Sequence, residues 1–254
     1  MTITTINLTG TDLRHMLATT AFTATSKDYS PVLENVALSF QDVESSKETG
    51  EYIIDVLATD RFTMLHVNLS SVPDADRAHG LPNTVVDERL FDKPVQLPAD
   101  FFKAVKEVTR TKATDPQHFT LTFDLDNTTG FNGTTHNPSG IWSITAPNGT
   151  TSSGPLGQNT GQYPNVNGML RLYKWEGTTS RLSPMAGAFN ASLLARLAKA
   201  DTLARKGKGE YWAFGTMSKD TDKPTATFAS TWARALIMPI NNNSSTEFNG
   251  YYLP

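Results

Sequence analysis

The chain has 254 residues, 38% of them hydrophobic, a formal net charge of −3 and no cysteine. That length can bury one large core or two modest ones. The missing cysteines exclude disulfides, thiolate metal sites and a thiol nucleophile, and the near-neutral charge argues against a chain that coats nucleic acid through bulk charge, though a local basic face stays possible.

The opening segment, MTITTINLTGTDLRHML, has no basic start and no apolar run, and no window approaches the length of a membrane span. A soluble, cytoplasmic protein without membrane contact is therefore expected. Residues 3 to 8 read as a strand. Thr11 and Asp12 are placed to cap a helix that carries Leu13, Met16, Leu17 and Ala21 on one face. Pro31 bars a helix, and Val36, Leu38 and Phe40 alternate as a strand. Two further strands are expected over 51–57 and 65–69, joined by the polar corner Ala58-Thr59-Asp60-Arg61-Phe62-Thr63-Met64, in which a turn aspartate can accept neighbouring backbone N–H groups. Residues 70–94 read as a long loop.

The pattern then repeats. Val95 to Leu97 ends a strand, and Pro98 stands where a helix start tolerates it. In the helix that follows, Leu97, Phe101, Val105 and Val108 share one side, and Lys103, Lys106 and Arg110 the other. Phe119, Leu121, Phe123 and Leu125 alternate with polar residues as a half-buried strand, and another is expected over 141–145. Residues 126–140 and 147–168, rich in Gly, Asn, Thr and Pro, read as loops. A third, fainter copy has a helix with Leu193, Leu194 and Leu197 inward and Arg196 and Lys199 outward, then strands over 211–217, 225–231 and 235–240. The helices start near residues 11, 99 and 191, spaced by 88 and 92 residues, which marks an internal repeat. Strands outnumber helices and the connections are short, so the class expected is α+β.

Catalytic patterns are missing. The five histidines show no metal spacing, and phosphate-binding glycine loops and nucleophile elbows are absent. Asp124/Asp126 and Asp220/Asp222 flank turns, where solvated carboxylates are ordinary. No enzyme, metal or cofactor is expected. Basic residues on two helices of the repeat, Lys103, Lys106 and Arg110 with Arg196 and Lys199, suggest a phosphate-facing surface that binds duplex DNA without reading sequence.

Several segments in order resemble the bacterial DNA polymerase III beta subunit, the ring-shaped processivity clamp. The corner at residues 58–64 is similar to the clamp's Ala-Thr-Asp-Gly-His-Arg-Leu segment, and GQYPNV at 161–166 to its Gly-Glu-Phe-Pro-Asp-Tyr. Ala188-Phe189-Asn190 with the helix after it resembles the last domain, and Met238-Pro239-Ile240 its closing Met-Pro-Met. The resemblance implies a DNA-clamp fold of repeated β-α-β-β-β units with helices on one side of antiparallel sheets. It implies a clamp-type domain of two units over 1–165, one further unit over 166–240 and a tail over 241–254. It also implies a peptide cleft, with Leu33, Thr59, Arg61, Phe62, Thr63 and Met64 as one wall and Met238, Pro239 and Ile240 as the other. Apolar, methionine-bearing walls suit varied partners. Partners implied are double-stranded DNA, a replicative polymerase, a clamp loader and further copies of the chain, in a shortened clamp that suits a phage or plasmid system, with the host cytoplasm as its location if phage-encoded. Two other readings stay open at this point: a non-ring interaction module related to clamps, and a β-rich virion structural protein.

Overall fold

The computed structural model describes residues 2–24, 31–41, 46–73, 81–110, 118–126, 138–156, 163–164, 191–204, 212–215 and 226–237. In chain order these form β1 (Thr2–Thr9), α1 (Gly10–Thr19), β2 (Val36–Gln41), α2 (Ser46–Thr49), β3 (Ile53–Thr59), β4 (Thr63–Ser70), α3 (Arg89–Asp92), β5 (Val95–Leu97), α4 (Ala99–Val108), β6 (His118–Leu125), β7 (Gly140–Thr145), β8 (Thr151–Leu156), α5 (Ala191–Ala204), β9 (Ala213–Gly215), β10 (Ala226–Ala229) and β11 (Arg234–Ile237). The α+β reading holds, and every strand pairing is antiparallel.

Local rules explain most starts and stops. The cap of α1 is Thr9 rather than Thr11: its hydroxyl accepts from the Asp12 N–H at 3.1 Å, while Asp12 at N3 accepts from the Thr9 N–H at 3.1 Å. That reciprocal pair satisfies two donors a helix start leaves open. Pro98 precedes α4 as its N-cap residue. Pro31 begins a short 3-10 turn, Pro31–Glu34, because a proline at a first helical position gives up an N–H that had no partner there. Two expected loops hold structure: Arg89–Asp92 is a helical turn, and Thr151–Leu156 pairs with β7 as strand β8. The latter lacks apolar alternation, so only its tertiary partner reveals it. Gly154 is required there, since a Cβ on it would lie 2.7 Å from the Trp142 ring.

The first two repeat units exchange their leading strands. One sheet runs β1-β6-β7-β8; the other runs β5-β2-β3-β4 and continues through β11-β10-β9 of the third unit. The junction is β4 with β11, where Met64 faces Leu236 and His66 faces Arg234. Helix α1 packs against both α4 and α5, so the three long helices lie side by side with α1 in the middle. One buried cluster links both sheets and all three helices, from Ile6 and Phe123 through Met16 and Phe101 to Ala200 and Ile237. Leu194 departs from its expected inward place and is 37% exposed on α5, whereas Leu197 is buried.

Candidate functional site

The β3–β4 corner is organised by Asp60. Its Oδ1 accepts from the Phe62 N–H at 3.0 Å, the Thr63 N–H at 2.7 Å and the Thr63 hydroxyl at 2.8 Å. Thr59 closes the corner by donating its hydroxyl to the Thr63 carbonyl at 2.8 Å. Arg61 sits in the left-handed region, at φ 81°. A side chain with Cβ holds that conformation only when its surroundings fix it. The corner thus buries Thr59, Asp60 and Thr63 and leaves Arg61 and Phe62 in solvent, with Phe62 59% exposed.

Strand alternation then sets the outer face of the seven-stranded sheet. Met64, Leu57, Ala37 and Leu236 form a small apolar cluster there, covered by Tyr163, with Val32 packed at its margin. The Tyr163 hydroxyl lies 3.3 Å from the Leu57 carbonyl oxygen and 3.5 Å from that of Asn35, and burial pushes its pKa up. Met64 is 2% exposed, so it is the floor of this patch rather than an open wall. Leu33 is also buried but stands outside the cluster, its place taken by Val32. Met238, Pro239 and Ile240 lie outside the described residues. Leu57, Ala37, Tyr163 and Leu236 escaped the sequence reading of the cleft. For Leu57 the signal was alternation, since it shares a face with Thr59; Tyr163 carried none.

Beyond the apolar patch, the same sheet face turns polar. Asp55 on β3 binds His66 Nε2 at 2.8 Å and accepts from Gln41 Nε2 at 2.7 Å. Burial alone would raise the Asp55 pKa, but the bonds from His66 and Gln41 outweigh it and hold the carboxyl below its ordinary value.

The basic residues divide. Lys103 and Lys106 are exposed on α4, Arg110 is exposed just past its C-cap Thr109, and Lys199 is exposed on α5. Lys103 contacts Asp100 at 2.7 Å one turn earlier, with both side chains more than 70% exposed. Arg196 goes elsewhere. Its Nη1 meets Asp60 Oδ2 at 2.7 Å and donates to the Thr63 hydroxyl at 3.0 Å, and its side chain is only 20% exposed. Its charge is spent on the β3–β4 corner, so it is not on a surface shared with Lys199. The long, flexible side chain makes this possible, because residues three apart on a helix can still lean to different neighbours. Among the described residues no group of three or more histidine, aspartate or glutamate side chains could hold a metal ion, and no helix is long and apolar enough to cross a membrane.

No protein-family model matches this sequence, and no curated protein matches it. Solved structures do. The sliding clamp, DNA polymerase III subunit beta, of Bartonella birtlesii bound to griselimycin superposes with a TM-score of 0.52 at 12% identity, over 93% of this chain and 66% of that one. A DNA polymerase III beta subunit from Eubacterium rectale, described as putative, gives a TM-score of 0.51 at 8% identity, over 98% of this chain and 66% of that one. The chain has the sliding-clamp fold. It spans about two thirds of the length of the clamps it matches.

Proposed function

We propose that the chain is a clamp-like processivity factor, not an enzyme. It holds duplex DNA without sequence preference and tethers replication partners, a replicative polymerase and a clamp loader, to it. The observation that carries this reading is the pairing of a clamp fold with a layer of adjacent helices whose outer residues include Lys103, Lys106, Arg110 and Lys199. Exposed ammonium and guanidinium groups meet phosphates and carry no sequence information. Further copies of the chain would complete an encircling assembly.

Partners would dock as short extended peptides at the margin of the buried patch of Met64, Leu57, Leu236 and Tyr163, with Phe62, exposed two residues before Met64, as an anchor. Thr59, Arg61 and Thr63 of the corner, Leu33, and Met238, Pro239 and Ile240 are the further residues proposed for this groove. Aromatic anchors are common among binding hot spots, and Phe62 is exposed to serve as one. Griselimycin, to which the Bartonella clamp is bound, supplies a probe. Fluorescent griselimycin is titrated against the wild-type chain and Phe62→Ala, whose exposed side chain can be truncated without opening the core. Saturable binding, weakened about tenfold by Phe62→Ala, is expected for an anchor lost from the groove. No binding by the wild-type chain would overturn the groove.

A further inference from the structure

Arg196 was read in the sequence as a DNA contact; its contacts give it a different task. It belongs to the third unit, 133 residues along the chain from Thr63, yet it closes the hydrogen-bond set of the corner between β3 and β4. Asp60 has both oxygens engaged, Oδ1 by the Phe62 and Thr63 N–H groups and the Thr63 hydroxyl, and Oδ2 by Arg196. Arg61, at φ 81°, stands between Asp60 and Phe62, so the backbone that presents Phe62 is in a conformation that depends on the bonds around it. Removing the cation would leave a carboxylate that is 7% exposed without its counter-charge, which favours rearrangement of the corner.

We infer that Arg196 is a positioning residue for ligand binding: seated on α5, it fixes the corner Asp60–Thr63 so that Phe62 is presented beside the Met64–Leu236 patch. The groove is then ready only when the third unit is docked on the first. This rests on the peptide-groove reading above.

The test compares wild type, Arg196→Met, Arg196→Lys, Phe62→Ala and the Arg196→Met/Phe62→Ala double variant by griselimycin titration, at a temperature where all remain folded by near-ultraviolet circular dichroism. Arg196→Met is expected to weaken binding about tenfold, and Arg196→Lys, whose ammonium can still meet Asp60, to restore most of it. The double variant is expected to bind no worse than Phe62→Ala alone, because Arg196 acts through that ring. Additive losses would overturn the inference. Ala200→Gly, at a fully buried site on the same helix, reports general loosening: an equal fall in binding from this variant at an equal fall in melting temperature would also overturn it. Hydrogen exchange separates this inference from the groove itself. The Phe62 and Thr63 amides should exchange faster in Arg196→Met whether or not the wild type binds griselimycin, and unchanged exchange would refute the positioning role.

Discussion

The division of the basic residues makes a sharp prediction about salt. Duplex affinity falls with log salt at a slope of roughly 0.9 per phosphate neutralised. If Lys103, Lys106, Arg110 and Lys199 each meet one phosphate, the slope is about −3.6, and raising salt from ~50 to ~200 mM weakens binding ~150-fold. Replacing Lys103, Lys106 and Arg110 by Ala leaves one contact, a slope of about −0.9 and a loss of only ~3- to 4-fold over the same range. The Asp100–Lys103 pair does not withdraw Lys103 from this count, since both side chains are largely in water and such pairs are weak. Arg196→Met is the internal control: its guanidinium already faces Asp60, so the slope should match wild type. The assay is fluorescence anisotropy of a labelled duplex titrated at several salt concentrations. A triple variant with the wild-type slope would show that α4 carries a merely solvated face. A fall of about 0.9 in the Arg196→Met slope would show that the corner does not hold this side chain in solution.

Three other outcomes follow from contacts in the fold. Thr9→Ala, which removes the hydroxyl half of the α1 capping box, should cost ~1 kcal/mol in urea unfolding, whereas Thr11→Ala should cost nothing measurable. Gly154→Ala places a Cβ against the Trp142 ring and should cost ~1 to 3 kcal/mol, as overpacking does, with a shift in tryptophan emission; an unchanged midpoint would mean β8 does not sit under that ring. For Asp55, burial is outweighed by the bonds from His66 and Gln41, so its folded pKa lies below the ordinary value of 3.8. The ionised group therefore stabilises the fold above that value, and the contribution is lost as pH falls through the lower folded pKa. The stability advantage of wild type over Asp55→Asn, followed by urea unfolding, should be present above the ordinary value of 3.8 and shrink below it; an advantage that persists at lower pH would refute the ionic account.

Where periodicity was strong the sequence spoke for itself. Phe119, Leu121, Phe123 and Leu125 are all buried on β6, and the corner at 58–64 is the hairpin expected. Strand β8 was invisible because Thr151–Leu156 has no apolar rhythm, and its conformation comes from pairing with β7. The exchange of leading strands was equally hidden, since a repeat shows that units are alike, not how they interlock. In the site, Met64 and the corner were legible as motifs. That Met64 is roofed by Tyr163, and that Arg196 turns to Asp60, depends on segments more than 95 residues apart in sequence, which no local pattern encodes.

The unlike surfaces of α1 and α4 have a structural cause. Each follows the leading strand of its unit, and each unit lends that strand to the other's sheet. If the two halves had the same neighbours, their helices would be equally polar. They do not. Among the described residues the chain after residue 190 packs beside β4 and α1: β11 lies on the β4 edge, α5 lies against α1, and Trp232 stacks on His15 with ring centroids 4.9 Å apart. Helix α1 is consequently buried along most of its length, and its sequence can carry His15, Met16 and Ala18 where a surface helix would carry charge. Among the described residues no strand occupies the corresponding edge at β8. There α4 keeps a wet face that carries Lys103 and Lys106, with Arg110 just past its end. Pro155 within β8 supplies no N–H, which blunts that edge against unplanned strand addition while leaving the helix face clear. Three of the four basic residues proposed to meet DNA therefore lie on or just past α4, with Lys199 on α5, and the apolar patch proposed for partners lies at the β4–β11 seam.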